Sequence, residues 1–268
     1  MTHPALILVG CSLKMTSFGG FQWPRSGPVK SDAWDPEDYW AGLHGFLWGE
    51  GDSALAMFPR KNWLVVRAPQ DTIVPLKGWV KFPEGEVVFC GALRGALRYL
   101  QEHDPDFDDR VVMGHTKLGC GGGTVTVGEH GTATIGDHGV AIAQRFGRAT
   151  AGVSGIARTG DGGHSVVGNH GTAISGTHGV SLAGNYGLAC SGFNGESFAG
   201  IQGKASTKGG GVATVYDGGE ARAGEGGQIR FCYTASNKRG LVIVGHVGKD
   251  GILPNIFYKV VNGAIVPA

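Results

Sequence analysis

From Gly123 onward apolar and polar residues alternate inside a frame of eight. Glycine stands at 123, 131, 139, 147, 155, 163, 171, 179, 187, 195, 203, 211, 219 and 227, with no slip. Third positions of these octads are tiny: Ala133, Ala141, Ala149, Ala157, Ser165, Ala173, Ser181, Ala189. Fifth positions are small or β-branched, as in Val127, Ile135, Ala143, Ala151 and Thr159. Second and fourth positions are larger and mixed, and include Arg148, Arg158, His164, Glu196 and Lys204. Alternation with period two is the signature of strands, so positions three and five share one face and two and four the other. A repeat this regular predicts a solenoid.

Only tiny residues can point inward when two walls of a coil lie close together. The pattern therefore predicts a thin two-sheet β-solenoid with two octads per turn, three octads in a triangular coil being the alternative. The sixth position is glycine in ten of the fourteen octads, which suggests a glycine-led corner reaching positive φ. An alanine and serine core buries little apolar area, so backbone ladders must carry much of the stability. With sixteen residues per turn, Val166, Leu182 and Phe198 fall in one outward column, and Ile142, Ile174 and Cys190 in another, interrupted by Arg158. Val140, Ile156 and Leu188 lie beside the second. Outward apolar columns imply a cover, either the first domain or a second copy of the chain.

The flanks differ. All six tryptophans lie in the first 80 residues, so this region can build a core of its own. Asn62 to Ala68 and Glu86 to Cys90 read as strands, and Ala92 to His103 as a helix with Leu93, Leu97 and Leu100 on one face. Residues 1–112 form a small α+β N-terminal domain on this reading, 113–230 the solenoid and 231–268 a C-terminal β cap. In the cap, Leu241 to Val247, a turn at Gly248-Lys249-Asp250-Gly251, and Tyr258 to Val266 suggest a hairpin closing the last rung. Open ends would otherwise recruit other chains.

Composition narrows the function. The chain has 50 glycines among 268 residues, yet no proline between Pro105 and Pro254, which fits paired strands and not a disordered linker. A net charge of +1 argues against general nucleic-acid binding, and no basic run would hold an anionic membrane. Five scattered cysteines (Cys11, Cys90, Cys120, Cys190, Cys232) lack metal or disulfide spacing and read as reduced thiols. Leu8-Val9-Gly10-Cys11 has the look of a lipoprotein cleavage box, but no Lys or Arg precedes it and the apolar stretch is short. A first β-strand and a cytoplasmic protein are the expectation.

The strongest chemical candidate is Gly42-Leu43-His44-Gly45-Phe46-Leu47-Trp48-Gly49-Glu50-Gly51-Asp52. His44 with Glu50, or with Asp52, could act as a general acid/base pair; the plainer reading is a glycine-rich turn. Asp35, Glu37 and Asp38 read as a solvated loop. His130, His138, His170 and His178 end their octads, but no two share adjacent rungs of a column, too far apart for zinc ligands about 2 Å from a metal. No metal and no cofactor is expected. Thr124, Thr126, Thr132 and Thr134 imitate an ice-binding threonine ladder for two octads only.

The Gly42 to Gly45 turn followed by glycine-led octads resembles an uncharacterised group of bacterial and phage proteins. The octads alone are similar to the repeat heads of trimeric adhesins and, more loosely, to the coils of ice-nucleation proteins, although the Thr-x-Thr column is missing. The resulting expectation is a non-enzymatic binding or scaffold protein, in a phage-related setting, whose solenoid engages a protein partner or forms a homo-oligomer. The alternative is an enzyme or effector whose N-terminal domain takes a nucleotide-like ligand, with the solenoid as spacer.

Overall fold

The computed structural model describes residues 4–52, 62–234, 240–249 and 251–268. It divides into two compact units, Met1–His115 and Thr116–Ala268.

In the first unit, seven antiparallel strands form one sheet in the spatial order Gly27–Lys30, Glu84–Gly91, Asn62–Pro69, Pro4–Cys11, Leu43–Leu47, Trp79–Phe82 and Val74–Leu76. Leu6 to Val9 is apolar on both faces because both are covered. One face packs Leu6, Leu8, Phe46 and Val65 against the helix Leu93–His103, which turns Ala96, Leu97 and Leu100 inward. The other gathers Ile7, Val9, Leu64, Val66 and Phe82 with Cys11, Met15 and Trp23. The expected helix and both expected strands are present within a residue or two.

The second unit is a β-solenoid of about seven turns. Its two sheets are built from alternate octads, each strand pairing in parallel with the strand sixteen residues on: Ala133 with Ala149, Ala149 with Ser165, Ala141 with Ala157. That register establishes two octads per turn. Third and fifth positions face inward, with Ala133, Ala141, Ala149, Ala157 and Ala173 fully buried. Ser165, Ser181 and Ser197 stack as an interior column on consecutive rungs. The Ser181 Oγ donates to the Cys190 carbonyl at 2.6 Å and lies 2.8 Å from the Ser175 Oγ. Ser197 repeats the arrangement with Ser206 and Ser191. Each of these serine hydroxyls thereby finds a partner, as a buried polar group requires, whereas the buried Thr207 and Thr214 hydroxyls have none among the described residues.

The corners differ from the expectation in a specific way. Neither repeat glycine has positive φ; the eighth residue does, at 52° to 59° for His130, His138, Phe146, Ser154, His170, His178, Tyr186, Asn194 and Gln202. The turn closes when the first glycine of the next octad donates to the sixth residue's carbonyl, as from Gly171 to Gly168 and from Gly179 to Gly176. The glycines are required for space. A Cβ on Gly171 would lie 2.7 Å from the Val167 Cβ, and one on Gly168 would lie 2.9 Å from the Val153 nitrogen of the preceding rung. At these glycines a Cβ would crowd its neighbours, although Gln144, Lys208 and Tyr216 fill the sixth position in other octads.

The cap is made of two antiparallel pairings, one per sheet. Gln228–Thr234 pairs with Gly240–His246, and Tyr258–Val261 pairs with Ala264–Pro267 while touching Ala221 through Tyr258. Reversing strand direction ends each parallel ladder. The expected turn at 248–251 includes Asp250, which lies outside the described residues.

Candidate functional site: the outward faces of the solenoid

Second and fourth positions present the outward faces. On one sheet Val166, Leu182 and Phe198 occupy consecutive rungs, about 4.8 Å apart by strand spacing. Leu182 is exposed, and Val166 and Phe198 are half-buried by their neighbours. The adjoining column runs His164, Val180, Glu196, so charge borders the apolar strip. On the other sheet the column runs Ile142, Arg158, Ile174, Cys190, with Val140, Ile156, Thr172 and Leu188 beside it. Burial raises the Cys190 thiol pKa above its ordinary value, partly opposed by Arg222. The far end of this face is occupied by the chain itself: Phe257 lies 4.6 Å from the Arg222 guanidinium and 5.6 Å from the Lys204 ammonium, and Lys204 pairs with Glu220 at 2.7 Å.

The corners carry order that the sequence reading missed. Asp137, Asp161, Asn169 and Asn185 stand at seventh positions, and each side-chain oxygen accepts the backbone N–H of the residue sixteen on, at 2.7 to 2.9 Å. Asp217 likewise accepts the N–H of Thr234, seventeen residues on, at 2.8 Å. Superposing the octads would have shown this polar column. At eighth positions, the His130 ring stacks on Phe146 at 5.0 to 5.2 Å spacing shared with the His170–Tyr186 pair. His130 and His170 therefore stack on aromatic neighbours one rung away, whereas the residues sixteen on from His138 and His178 are Ser154 and Asn194.

In the first unit His44 lies on the strand Leu43–Leu47, opposite Lys81. Its Nε2 sits 3.0 Å from the Tyr39 carbonyl, and its ring lies 4.8 Å from the Trp79 ring. Burial lowers the His44 pKa, opposed by backbone hydrogen bonds from Tyr39 and Gly42, with Lys81 lowering it further. Glu50 instead accepts the Val111 N–H at 2.7 Å, and Asp52 donates its backbone N–H to Gly78. His44 and Glu50 thus hold separate backbone segments, and among the described residues no hydrogen bond joins the two side chains. The 31–42 loop is more than a solvated excursion: the Lys81 Nζ, nearly fully buried, donates to the Asp35 and Asp38 carbonyls at 2.9 and 2.7 Å. Among the described residues, no three His, Cys, Asp or Glu side chains converge on one point. No helix among them is long and apolar enough to cross a membrane.

These features define a tandem-repeat protein with a regular two-sheet solenoid surface. Its relatives are ice nucleation proteins, themselves non-enzymatic repeat proteins. The chain is 35% identical over 106 residues to ice nucleation protein InaU of Pantoea ananas, covering 38% of this chain and 10% of that protein. It is 34% identical over 125 residues to InaA of the same organism, covering 45% of this chain and 9% of that protein. An ice nucleation protein of Xanthomonas campestris pv. translucens is 35% identical over 104 residues, 37% of this chain and 7% of that protein. The chain thus spans about a tenth or less of the length of these relatives. No family model matches, and no solved structure does. The matches correct the expectation of a cytoplasmic protein, drawn from the weak signal-peptide features around Cys11 and from the unpaired cysteines, because ice nucleation proteins are bacterial surface proteins.

Proposed function

We propose that this chain is a non-enzymatic scaffold whose solenoid associates with copies of itself through the outward apolar columns. The observation that carries the reading is the Val166–Leu182–Phe198 strip, three apolar side chains on consecutive rungs of a flat sheet. Burying such a strip is worth roughly 25 cal/mol per Å² of apolar surface. A repeating face suits an isologous contact, in which the same patch serves both partners. The His44–Glu50 region supports an enzymatic reading less well, since each side chain already has a backbone partner.

The test is analytical ultracentrifugation of the intact chain and of the Leu182→Lys/Phe198→Lys double variant. A dimer or larger species at micromolar concentration, lost in the variant, is the expected result. A monomeric parent protein would overturn the proposal.

The name of the relatives brings a second reading, ice templating. An ice template needs an extended array of like hydroxyl groups, and here Arg148, His164, Arg158 and Lys204 interrupt the outward columns after the first threonines. Droplets containing the protein should therefore freeze at the temperature of buffer alone. A raised freezing temperature abolished by Thr132→Arg would favour the templating reading.

A further inference from the structure

We propose that Cys11, Met15 and Cys90 form a binding site for a soft monovalent metal ion, copper(I). The three residues belong to the first unit and to none of the surfaces described above. Cys11 ends the strand Pro4–Cys11, Cys90 lies near the end of Glu84–Gly91, and Asn62–Pro69 runs between them. Met15 follows Cys11 in a tight turn whose thioether returns over the sheet.

The two sulfur–sulfur distances to Met15 fit the ion. The Cys11 Sγ and the Cys90 Sγ each lie 3.9 Å from the Met15 Sδ. Three sulfurs bound about 2.3 Å from a metal in a trigonal plane are roughly 4 Å apart. The donors are uniformly soft, two thiols and a thioether, and such sets select copper(I) over harder divalent ions.

A second observation is the backbone. Met15 has φ 63°, a left-handed conformation that costs a side-chain-bearing residue about 1–2 kcal/mol and that clusters at functional positions. Surrounding hydrogen bonds hold it there. Met15 N–H donates to the Ser12 carbonyl at 2.9 Å, Trp23 N–H donates to the Met15 carbonyl at 2.8 Å, and the Ser12 and Thr16 hydroxyls meet at 2.7 Å. A methionine that only filled the core could do so from ordinary backbone.

The proton balance is simple. Free thiols are ordinarily protonated near neutral pH. Coordination displaces both thiol protons to solvent, because a metal-bound thiol is deprotonated outright. Two thiolates and one monovalent ion leave a single negative charge. Cys11 and Met15 are buried, whereas Cys90 is half-buried and gives the ion its way in. Sequence spacing could not show the site, since one ligand is a methionine and the cysteines are 79 positions apart.

The experiment titrates the intact, reduced chain anaerobically with copper(I) against bathocuproine disulfonate, with silver(I) and native mass spectrometry as a redox-inert check. One ion should be retained per chain, and X-ray absorption should show three sulfurs at about 2.3 Å. Met15→Leu, which keeps the core volume, and Cys90→Ala should each weaken retention at least tenfold, about the loss seen when even an outer-shell partner is removed. Cys120→Ser and Cys232→Ser should leave it unchanged. Failure to hold the ion against the competitor would overturn the proposal, as would undiminished retention in Met15→Leu, which decides the matter if Cys90→Ala does not fold. Loss of retention in Cys120→Ser or Cys232→Ser would also overturn it.

Discussion

The side-chain oxygen of Asn169 accepts the backbone N–H of Asn185 at 2.9 Å, and the oxygen of Asn185 accepts the N–H of Ile201 at the same distance. Sixteen residues separate each pair, so the contact ties one coil of the solenoid to the next at its corner. Backbone bonds also join the coils at the corner, where the Gly184 N–H donates to the Gly168 carbonyl and the His170 N–H to the Asn185 carbonyl, and the asparagine side chains add to them.

Asn185→Ala keeps the bond that the Asn185 N–H donates and removes the one its side chain accepts. The Ile201 N–H then faces solvent without a protein partner. The expected loss is about 0.5–1.5 kcal/mol, the net worth of one neutral hydrogen bond. Hydrogen exchange should quicken at the Ile201 amide and hardly at Asn185. Uniform quickening along the whole solenoid would contradict a local tie.

Glycine substitutions should have opposite signs at neighbouring corner positions. Gly168→Ala places a Cβ 2.9 to 3.1 Å from backbone atoms of Gly152 and Val153, which must shift to accept it. A cost of about 1–3 kcal/mol or more is expected from overpacking. Ser154→Gly acts on the left-handed position, φ 56°, and keeps the N–H that Asn169 accepts at 2.8 Å. Relief of about 1–2 kcal/mol of strain exceeds the added chain entropy of glycine, roughly 0.5–1 kcal/mol. The variant should be as stable as the parent or up to about 1 kcal/mol more so, as read from denaturant midpoints.

The interior hydroxyl column offers a double-mutant cycle. Ser181→Ala leaves the buried Ser175 hydroxyl without its partner, whereas the Cys190 carbonyl keeps the Ser175 N–H at 2.9 Å. About 1–3 kcal/mol should be lost, the desolvation cost of an orphaned polar group. Ser175→Ala in the same background removes that orphan, so the double variant should cost less than the two single variants together. Strict additivity would show that the hydroxyls do not share a network.

How much of this was legible depends on the range over which each residue acts. Ala133, Ala141 and Ala149 announce a narrow interior because period eight and period two coincide in one short segment, and the parallel register follows once sixteen residues make a turn. The reason for the glycines was not legible. Gly168 is small because Val153, fifteen residues earlier, lies against it, and that crowding exists only after the coil has closed. His130, Phe146 and Tyr186 gave no sign that they would adopt left-handed backbone, since intrinsic preference assigns that conformation to glycine or asparagine. The ladder geometry overrides the preference at every turn. In the first unit Lys81 reads as an ordinary polar strand residue, and its burial depends on carbonyls more than forty positions away. His44 and Glu50 stand six residues apart in a glycine-rich stretch, which suggested a pair; the strand Leu43–Leu47 ends between them and sends each to a different partner.

The pH dependence of stability should carry the signature of His44. Burial lowers its pKa below the ordinary 6.5, so the neutral ring is favoured in the folded state. Below pH 6.5 the unfolded chain takes up this proton before the folded chain does. Stability rises with pH wherever the unfolded state binds more protons. The His44 contribution is therefore complete above about pH 6.5, falls as the pH drops below that value, and levels off once the folded-state imidazole protonates. The effect has the sign expected of a buried neutral histidine and the reverse of one stabilised by an acidic partner. His44→Gln removes the titration while keeping a group able to reach the Tyr39 carbonyl. Urea midpoints of the parent protein should decline between pH 7 and pH 5 more steeply than those of the variant. Parallel declines would show that His44 is solvated enough to titrate equally in both states, and that its contacts with Trp79 and Tyr39 impose no protonation preference.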